Sequence, residues 1–495
     1  MGRNQVIDPA IIRTVRSILY PLLALALALP APAYPQNLPD LGESSQAEFS
    51  PQTERKLGDS FMREIRRDPA YIEDPEVTEY IRAVGRRLIA ATPETAGIDF
   101  EFFAVRDPNI NAFAMPGGYV GVHSGLITAA MVESEFASVL AHEMAHVTQR
   151  HIARQLQNQS QIGALSMVGM VLAMLAAKSN PQVAQAAVVA GTAAPVAAFL
   201  NYSRDFEREA DRVGYQILRA ANYDVQAMPT FFERLQRNTR LYENNAPGYL
   251  RTHPLTTERI ADMQNRAREA GPVKLQPDSR DFQIVRAKLR AQQGDAREAV
   301  AFFQEALEDG RYADRGAARY GYVVALLRAR DFERARAQWA ELRKGAEAHP
   351  MYDTLGAQLY FAVGEPAAAV QLLEKSIKTY PHSVIVRLAY AEALQQTGKH
   401  RDAVALLRDL RADRPHELHL YQLLAQSYSA LGQRVEQHRT LAEYYYMQGS
   451  LPGAIEQLQL AQAAKDADFY TLSAVDARLR QLRAEQLQEV KDRNR

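Results

Sequence analysis

The sequence contains no cysteine among its 495 residues. That absence excludes a thiol nucleophile, a thiolate-ligated metal, a disulfide framework and a thioether lipid anchor. It also fits an oxidising compartment, where stray thiols are a hazard. No charge of one sign dominates: Lys plus Arg and Asp plus Glu both total 58, so nothing in the balance calls for a nucleic-acid backbone or an anionic surface as partner. Nor is there the Pro, Gly and Ser surplus of a disordered chain; a hydrophobic fraction of 47% and a charged fraction of 23% belong to a folded one. The length implies about two to four domains. Any catalysis falls to His, Asp, Glu, Ser, Lys or Tyr.

Arg13 and Arg16 precede a short apolar run from Ile18 to Leu29, which ends in Pro30, Ala31, Pro32 and Ala33. A basic flank, a core shorter than the roughly 20 residues of a bilayer span, and a small-x-small ending read as a secretory signal peptide over 1–33, cleaved after Ala33. Residues 34–50 read as a linker. Two β-rich runs, Phe100 to Val105 and Tyr119 to Val122, flank a Pro-Gly-Gly break, and helical periodicity takes over from about Glu133. The stretch Ala270 to Ser279 carries Gly, two Pro and no periodicity, which marks a domain boundary.

Beyond that boundary the chain repeats itself. A Gly or Arg followed five residues later by Ala recurs at Gly294/Ala299, Arg330/Ala335, Gly364/Ala369, Gly398/Ala403 and Gly449/Ala454. The steps Gly364 to Gly398, Gly398 to Gly432 and Pro381 to Pro415 are each 34 residues, the period of tetratricopeptide repeats. Gly permits the tight turn between two helices, Ala lets them approach, and Pro ends the second. Gly432 lacks its Ala, with Gln437 in its place, and the next step is 17 residues; the array is irregular at its end.

The chemistry lies in His142-Glu143-Met144-Ala145-His146. On a helix this spacing sets two imidazoles one turn apart on one face, where they can share a metal ion, with Glu143 beside them as base for the attacking water. With 11 His in the chain, such a pentapeptide arises by chance in about one or two chains per hundred, so a third ligand must decide. Gln149 and Ile152 stand where a metzincin needs Gly and His. His151 falls on the wrong side of the helix, about 140° from His146, toward solvent or substrate. Downstream, Glu207 and Asp211 are four apart and share a face, whereas Glu209 points nearly opposite. Glu207 can ligate zinc while Asp211 takes a hydrogen bond from a ligand His; the same stretch also reads as a salt-bridged surface helix.

Four segments, Asn111-Ala112-Phe113-Ala114-Met115-Pro116-Gly117-Gly118, the HEMAH helix, the ExxAD of Glu207 to Asp211, and Thr252-His253-Pro254, resemble the HtpX and CAAX-prenyl-protease clan of zinc metallopeptidases. Within it they are most similar to the periplasmic branch of beta-barrel assembly-enhancing proteases with C-terminal repeats. The resemblance implies a mainly α fold: an α+β zincin-type domain of helices and a small sheet over 51–268, a linker over 269–280, an α-solenoid of tetratricopeptide repeats over 281–480 and a charged tail over 481–495. It implies one Zn²⁺ held by His142, His146 and Glu207, with His253 as a removable fourth ligand that keeps the enzyme latent, Glu143 as base and Asp211 behind the metal. Asn111, Ala112, Phe113 and Ala114 would form an edge strand that pairs with substrate backbone. Tyr202, Arg204 and His253 are the candidate oxyanion stabilisers.

The function expected is quality control of outer-membrane β-barrel proteins in the periplasm, with degradation of misfolded precursors. The repeats would dock substrate or the assembly machinery. The alternative is a chaperone-like adaptor in which the repeats act and proteolysis is secondary. A purely structural metal module would not need Glu143. Residues 162–177 are apolar but number only 16, and 182–200 contain Gln182, Gln185 and Pro195. A small-residue helical hairpin that covers the active site or touches a membrane surface or partner is expected there.

Overall fold

The computed structural model describes residues 50–158, 203–240, 248–271, 277–345, 347–464 and 466–493. The expected signal peptide and linker, the hairpin over 162–200 and Tyr202 lie outside them.

The first half is built around helices α1 (Pro51–Ile65) and α2 (Pro75–Ile89) and a three-stranded sheet. In α2, the Asp74 carboxylate caps the N–H groups of Glu76 and Val77, and Pro75 supplies the first-turn φ. Its buried Val77, Tyr80, Ile81, Val84 and Leu88 recur at helical spacing and face the core. Strands β1 (Glu101–Val105), β2 (Ala112–Met115) and β3 (Tyr119–His123) lie in the order β1-β3-β2. β1 runs parallel and β2 antiparallel to the central β3, so β2 is an edge. Gly117 and Gly118, with φ of 79° and 89°, turn the chain between β2 and β3.

After the short α3 (Ser124–Ala129) comes α4 (Glu133–Thr148), which is buried from Glu133 through His146. It ends at Gln149, and Arg150 takes a left-handed φ of 52° before α5 (His151–Asn158) begins in a new direction. Helices α6 (Arg204–Ala220), α7 (Ala227–Arg240), α8 (Gly248–Thr252) and α9 (Thr257–Glu269) complete this half. Gly214 in α6 lets that helix lie directly on α4, because a Cβ there would sit 3.0 Å from the His142 backbone. That close approach sets the distance between the two chemical motifs.

From α10 (Arg280–Gln292) to α21 (Phe469–Arg493) twelve helices follow among the described residues, matching the repeat architecture the period predicts. Gly294, Arg330, Gly364, Gly398, Gly432 and Gly449 all have φ from 59° to 79°. They form the left-handed turns between helices, and Ala299, Ala335, Ala369, Ala403 and Ala454 are buried in the helix contacts. The last helix runs on to Arg493, through most of the charged tail.

One apolar core crosses residues 270–280. Phe282, Ile284, Val285 and Leu289 of α10 pack with Tyr80, Phe136 and Val139 of the first half, and burying each contributes roughly 1.5–3 kcal/mol. Polar groups close the same seam. The backbone N–H and hydroxyl of Ser279 donate to the Glu133 carboxylate at 3.0 and 2.6 Å, and the Glu133 N–H donates to Asp278 at 2.8 Å. The Lys288 ammonium lies 2.6 Å from Asp74 and 2.7 Å from Glu76, and Tyr320 and Thr354 also donate to Glu76. Later repeats return to α2, where Arg82 meets Glu417 at 2.6 Å and Arg414 meets Glu79 at 2.8 Å. No helix among the described residues is long and apolar enough to cross a membrane.

Candidate metal centre

Helix α4 carries His142 and His146 on one face, with their Nε2 atoms 3.0 Å apart. Helix α6 brings Glu207 to them: Oε2 is 3.6 Å from His142 Nε2, and Oε1 is 3.5 Å from His146 Nε2. His253, just past α8, points Nδ1 into the same space, 2.9 Å from Glu207 Oε1 and 3.4 Å from His142 Nε2. The four donor atoms lie within 4.8 Å of one another and all four residues are buried. A tetrahedral ion with bonds near 2.0–2.2 Å holds its donors roughly 3.3–3.5 Å apart, and the observed separations cluster about that value. Three imidazoles and one carboxylate are also a donor set suited to zinc.

Within the cluster, burial and neighbouring charges act against one another. Burial opposes ionisation of Glu207, yet His253 and His142 hold its carboxyl well below the usual range. Burial likewise opposes a charge on His142, but Asp211 and Glu207 raise it to about 9. Burial and the neighbouring His142 push His146 well down, so it stays neutral and able to ligate. Glu143, fully buried beside the cluster, is pushed up chiefly by burial, against the lowering effect of His253 and His142. Its Oε1 is 3.4 Å from His253 Nε2. Burial thus favours the protonated form of Glu143 more than in an exposed carboxyl.

Behind these groups Asp211 faces His142 Nδ1 at 3.0 Å. Arg259 of α9 grips Asp211 with a fork of 2.6 and 2.8 Å and also reaches Glu207 at 2.7 Å. Holding both acids by one guanidinium fixes their spacing. Nothing in the sequence singled out Arg259; an Arg six residues beyond His253 acquires meaning only once α9 packs on α6. Tyr249 was missed too. Its ring is stacked on His253 with centroids 4.7 Å apart.

One expectation needs correction. His151 faces neither solvent nor substrate: it is fully buried, with Nδ1 2.8 Å from His146 Nδ1. Glu209, which has no part in the donor cluster, reaches His151 Nε2 at 3.2 Å. The position of His151 follows from the left-handed Arg150, which breaks the helix that the 140° figure assumed. Burial holds His151 down to about 4, and therefore neutral. Of the candidate oxyanion groups, Arg204 is exposed at the start of α6.

Asn111 precedes the edge strand β2, in which Ala112, Phe113 and Ala114 lie, and the Ala114 amide is among the groups that lower the Glu143 pKa. A strand edge that pairs with no further strand among the described residues thus runs beside Glu143.

Residues 75–267 match Peptidase family M48, and residues 266–349 and 360–427 match tetratricopeptide repeats. A Vibrio cholerae relative is 34% identical over 468 residues, covering 93% of this chain and 96% of its own. The beta-barrel assembly-enhancing protease of Escherichia coli K12 is 32% identical over 476 residues, 94% of this chain and 96% of that one. The mitochondrial metalloendopeptidase OMA1 of Arabidopsis thaliana shares 32% identity over 165 residues, 33% of this chain and 31% of its own. With a buried His/Glu cluster in its first half, a helical-repeat second half and relatives aligned through both, the chain belongs to the beta-barrel assembly-enhancing proteases, repeat-bearing metallopeptidases of family M48.

Proposed function

We propose that this metallopeptidase is a zinc endopeptidase of the periplasm that degrades misfolded precursors of outer-membrane β-barrel proteins. The convergence of His142, His146, Glu207 and His253 beside Glu143 and an open strand edge carries this reading. Zinc bound there supplies polarisation of the scissile carbonyl and acidification of water. Glu143 takes the proton from the attacking water and delivers it to the leaving amine. Asp211, braced by Arg259, orients His142. The edge from Asn111 to Ala114 pairs with extended substrate backbone, which favours unfolded segments over particular sequences.

His253 takes one of four donor places, and a site closed by four protein ligands is the resting kind. Activity on this reading requires His253 to withdraw, leaving three ligands. The export signal over 1–33, the catalytic domain over 51–268 and the repeats over 281–480 form the working division of the chain. A cavity of about 720 Å³ between the α1–α2 connection and the repeats, lined by groups including Arg66, Tyr71, Arg106, His419 and Tyr444, supports docking of substrate or of the β-barrel assembly machinery there.

The test is a comparison of outer-membrane protein levels in cells carrying wild type or Glu143→Gln. Misassembled barrel precursors accumulate in the variant if the reading is right. Unchanged precursor levels, with the variant present at normal abundance, refute proteolytic quality control and favour the repeats acting as an adaptor.

A further inference from the structure

Zinc-ligating histidines need their second ring nitrogen held, because the partner there fixes both tautomer and ring orientation. The two histidines of α4 solve this differently. His142 faces the Asp211 carboxylate, which Arg259 holds in the interior. His146 faces another imidazole, that of His151, at 2.8 Å. His151 in turn faces Glu209 at 3.2 Å, and Arg154 donates to the same Glu209 oxygen at 2.8 Å.

The hydrogen-bond polarity of this chain is determined throughout. When Nε2 of His146 binds a metal, its Nδ1 carries the proton and donates to Nδ1 of His151. His151 then carries its own proton on Nε2 and donates it to Glu209, which Arg154 anchors. Every donor meets an acceptor. The His151 ring is held flat on Phe206, with centroids 4.5 Å apart and planes 11° apart, and the Arg154 guanidinium covers the other ring at 4.6 Å.

A second observation is independent of these contacts. Arg150 adopts φ of 52°, a conformation that is unfavourable for a non-glycine residue, and its side chain is clamped by Glu54 at 2.9 Å. That break is what swings His151 back over His146.

We propose that His151 is a positioning residue for the metal centre, which through Glu209 and Arg154 locks His146 in the ligating tautomer and orientation. The inference rests on the zinc reading above. It differs from a mere packing role in what each substitution preserves. His151→Phe keeps the stack on Phe206 and removes the acceptor. His151→Asn places Oδ1 where Nδ1 was and keeps the acceptor for His146. His151→Gln reaches only toward the Nε2 position and Glu209.

Zinc affinity of the full-length protein and these three variants, measured by competition with a chelator, tests the proposal, with unfolding midpoints of the metal-free proteins as the control for packing. His151→Phe and His151→Gln should bind zinc 10–100-fold more weakly, the range typical of lost outer partners. His151→Asn should recover most of that loss. Wild-type affinity in His151→Phe overturns the proposal, as does an Asn variant no better than Gln; the latter comparison decides the matter even if the Phe variant does not fold. A Glu207→Ala control that keeps wild-type affinity defeats the zinc-site reading itself, so the two failures are distinct.

Discussion

Tyr249 donates its backbone N–H to the carbonyl of Ile110 at 3.1 Å. The Asn111 carbonyl bonds inward to His123, so alternation turns Ile110 toward the open side of β2. The short helix that leads to His253 therefore holds a backbone group that an added substrate strand would claim. On the proposed reading, a substrate strand added there would break this bond and so favour withdrawal of His253.

Latency predicts the sign of a single substitution. His253→Ala should retain zinc on His142, His146 and Glu207 and hydrolyse casein faster than wild type. If His253 instead stabilises the oxyanion, removing it lowers turnover by roughly a hundredfold. Casein hydrolysis at equal zinc content separates the two.

Ligand and base separate in the same way. Glu207→Ala, His142→Ala and His146→Ala should each lose the metal, whereas Glu143→Gln should keep it and lose activity by about 10²–10⁴-fold, the usual worth of a general base. Metal content per chain together with peptide hydrolysis reads both. Full occupancy in Glu207→Ala would defeat the zinc-site reading.

Arg259 neutralises two buried acids at once. Arg259→Leu leaves Asp211 and Glu207 buried without their cation and should cost the metal-free protein about 3–5 kcal/mol. Thermal unfolding in the presence of a chelator measures it; a midpoint equal to wild type would mean that the acids find another partner.

Lys288 stands in the same relation to Asp74 and Glu76, across the seam between protease and repeats. Lys288→Met should destabilise by about 3–5 kcal/mol, and Lys288→Met combined with Glu76→Gln should recover part of the loss because the two are coupled. Denaturant unfolding of the full cycle checks this. Additive effects would show that the pair does not act as a unit.

The repeat array was legible because its turns demand left-handed backbone, and that demand selects Gly at a fixed period; even Arg330, the exception, was recognisable from its register. His142, Glu143 and His146 were legible because helical spacing alone sets their geometry. What was hidden depends on breaks and on packing. The side chain of Arg150 gives no sign of a left-handed turn, so the position of His151 was computed from a helix that does not continue. The contact of Glu209 with His151 was lost with it. Residues 270–280 have the composition of a linker, and nothing in them announces that Phe282 and Val285 fold back onto Tyr80 and Phe136. Gly214 appears to a sequence reader as a weak point in a helix, whereas in space it is the contact that seats α6 on His142.

The bonds between Glu133 and Ser279 also have a meaning for biosynthesis. A chain is made from its amino end, and domains tend to acquire structure in that order. Here the start of the helix that carries His142 and His146 is held by residues that arrive nearly 150 positions later, about 7–30 s later at ordinary rates of synthesis, and the apolar face of α2 waits for α10. A growing chain therefore holds His142, His146 and Glu207 before it has all of the packing around them. The half that carries the His/Glu cluster is thus the first to be made and completes its packing only with residues that follow it.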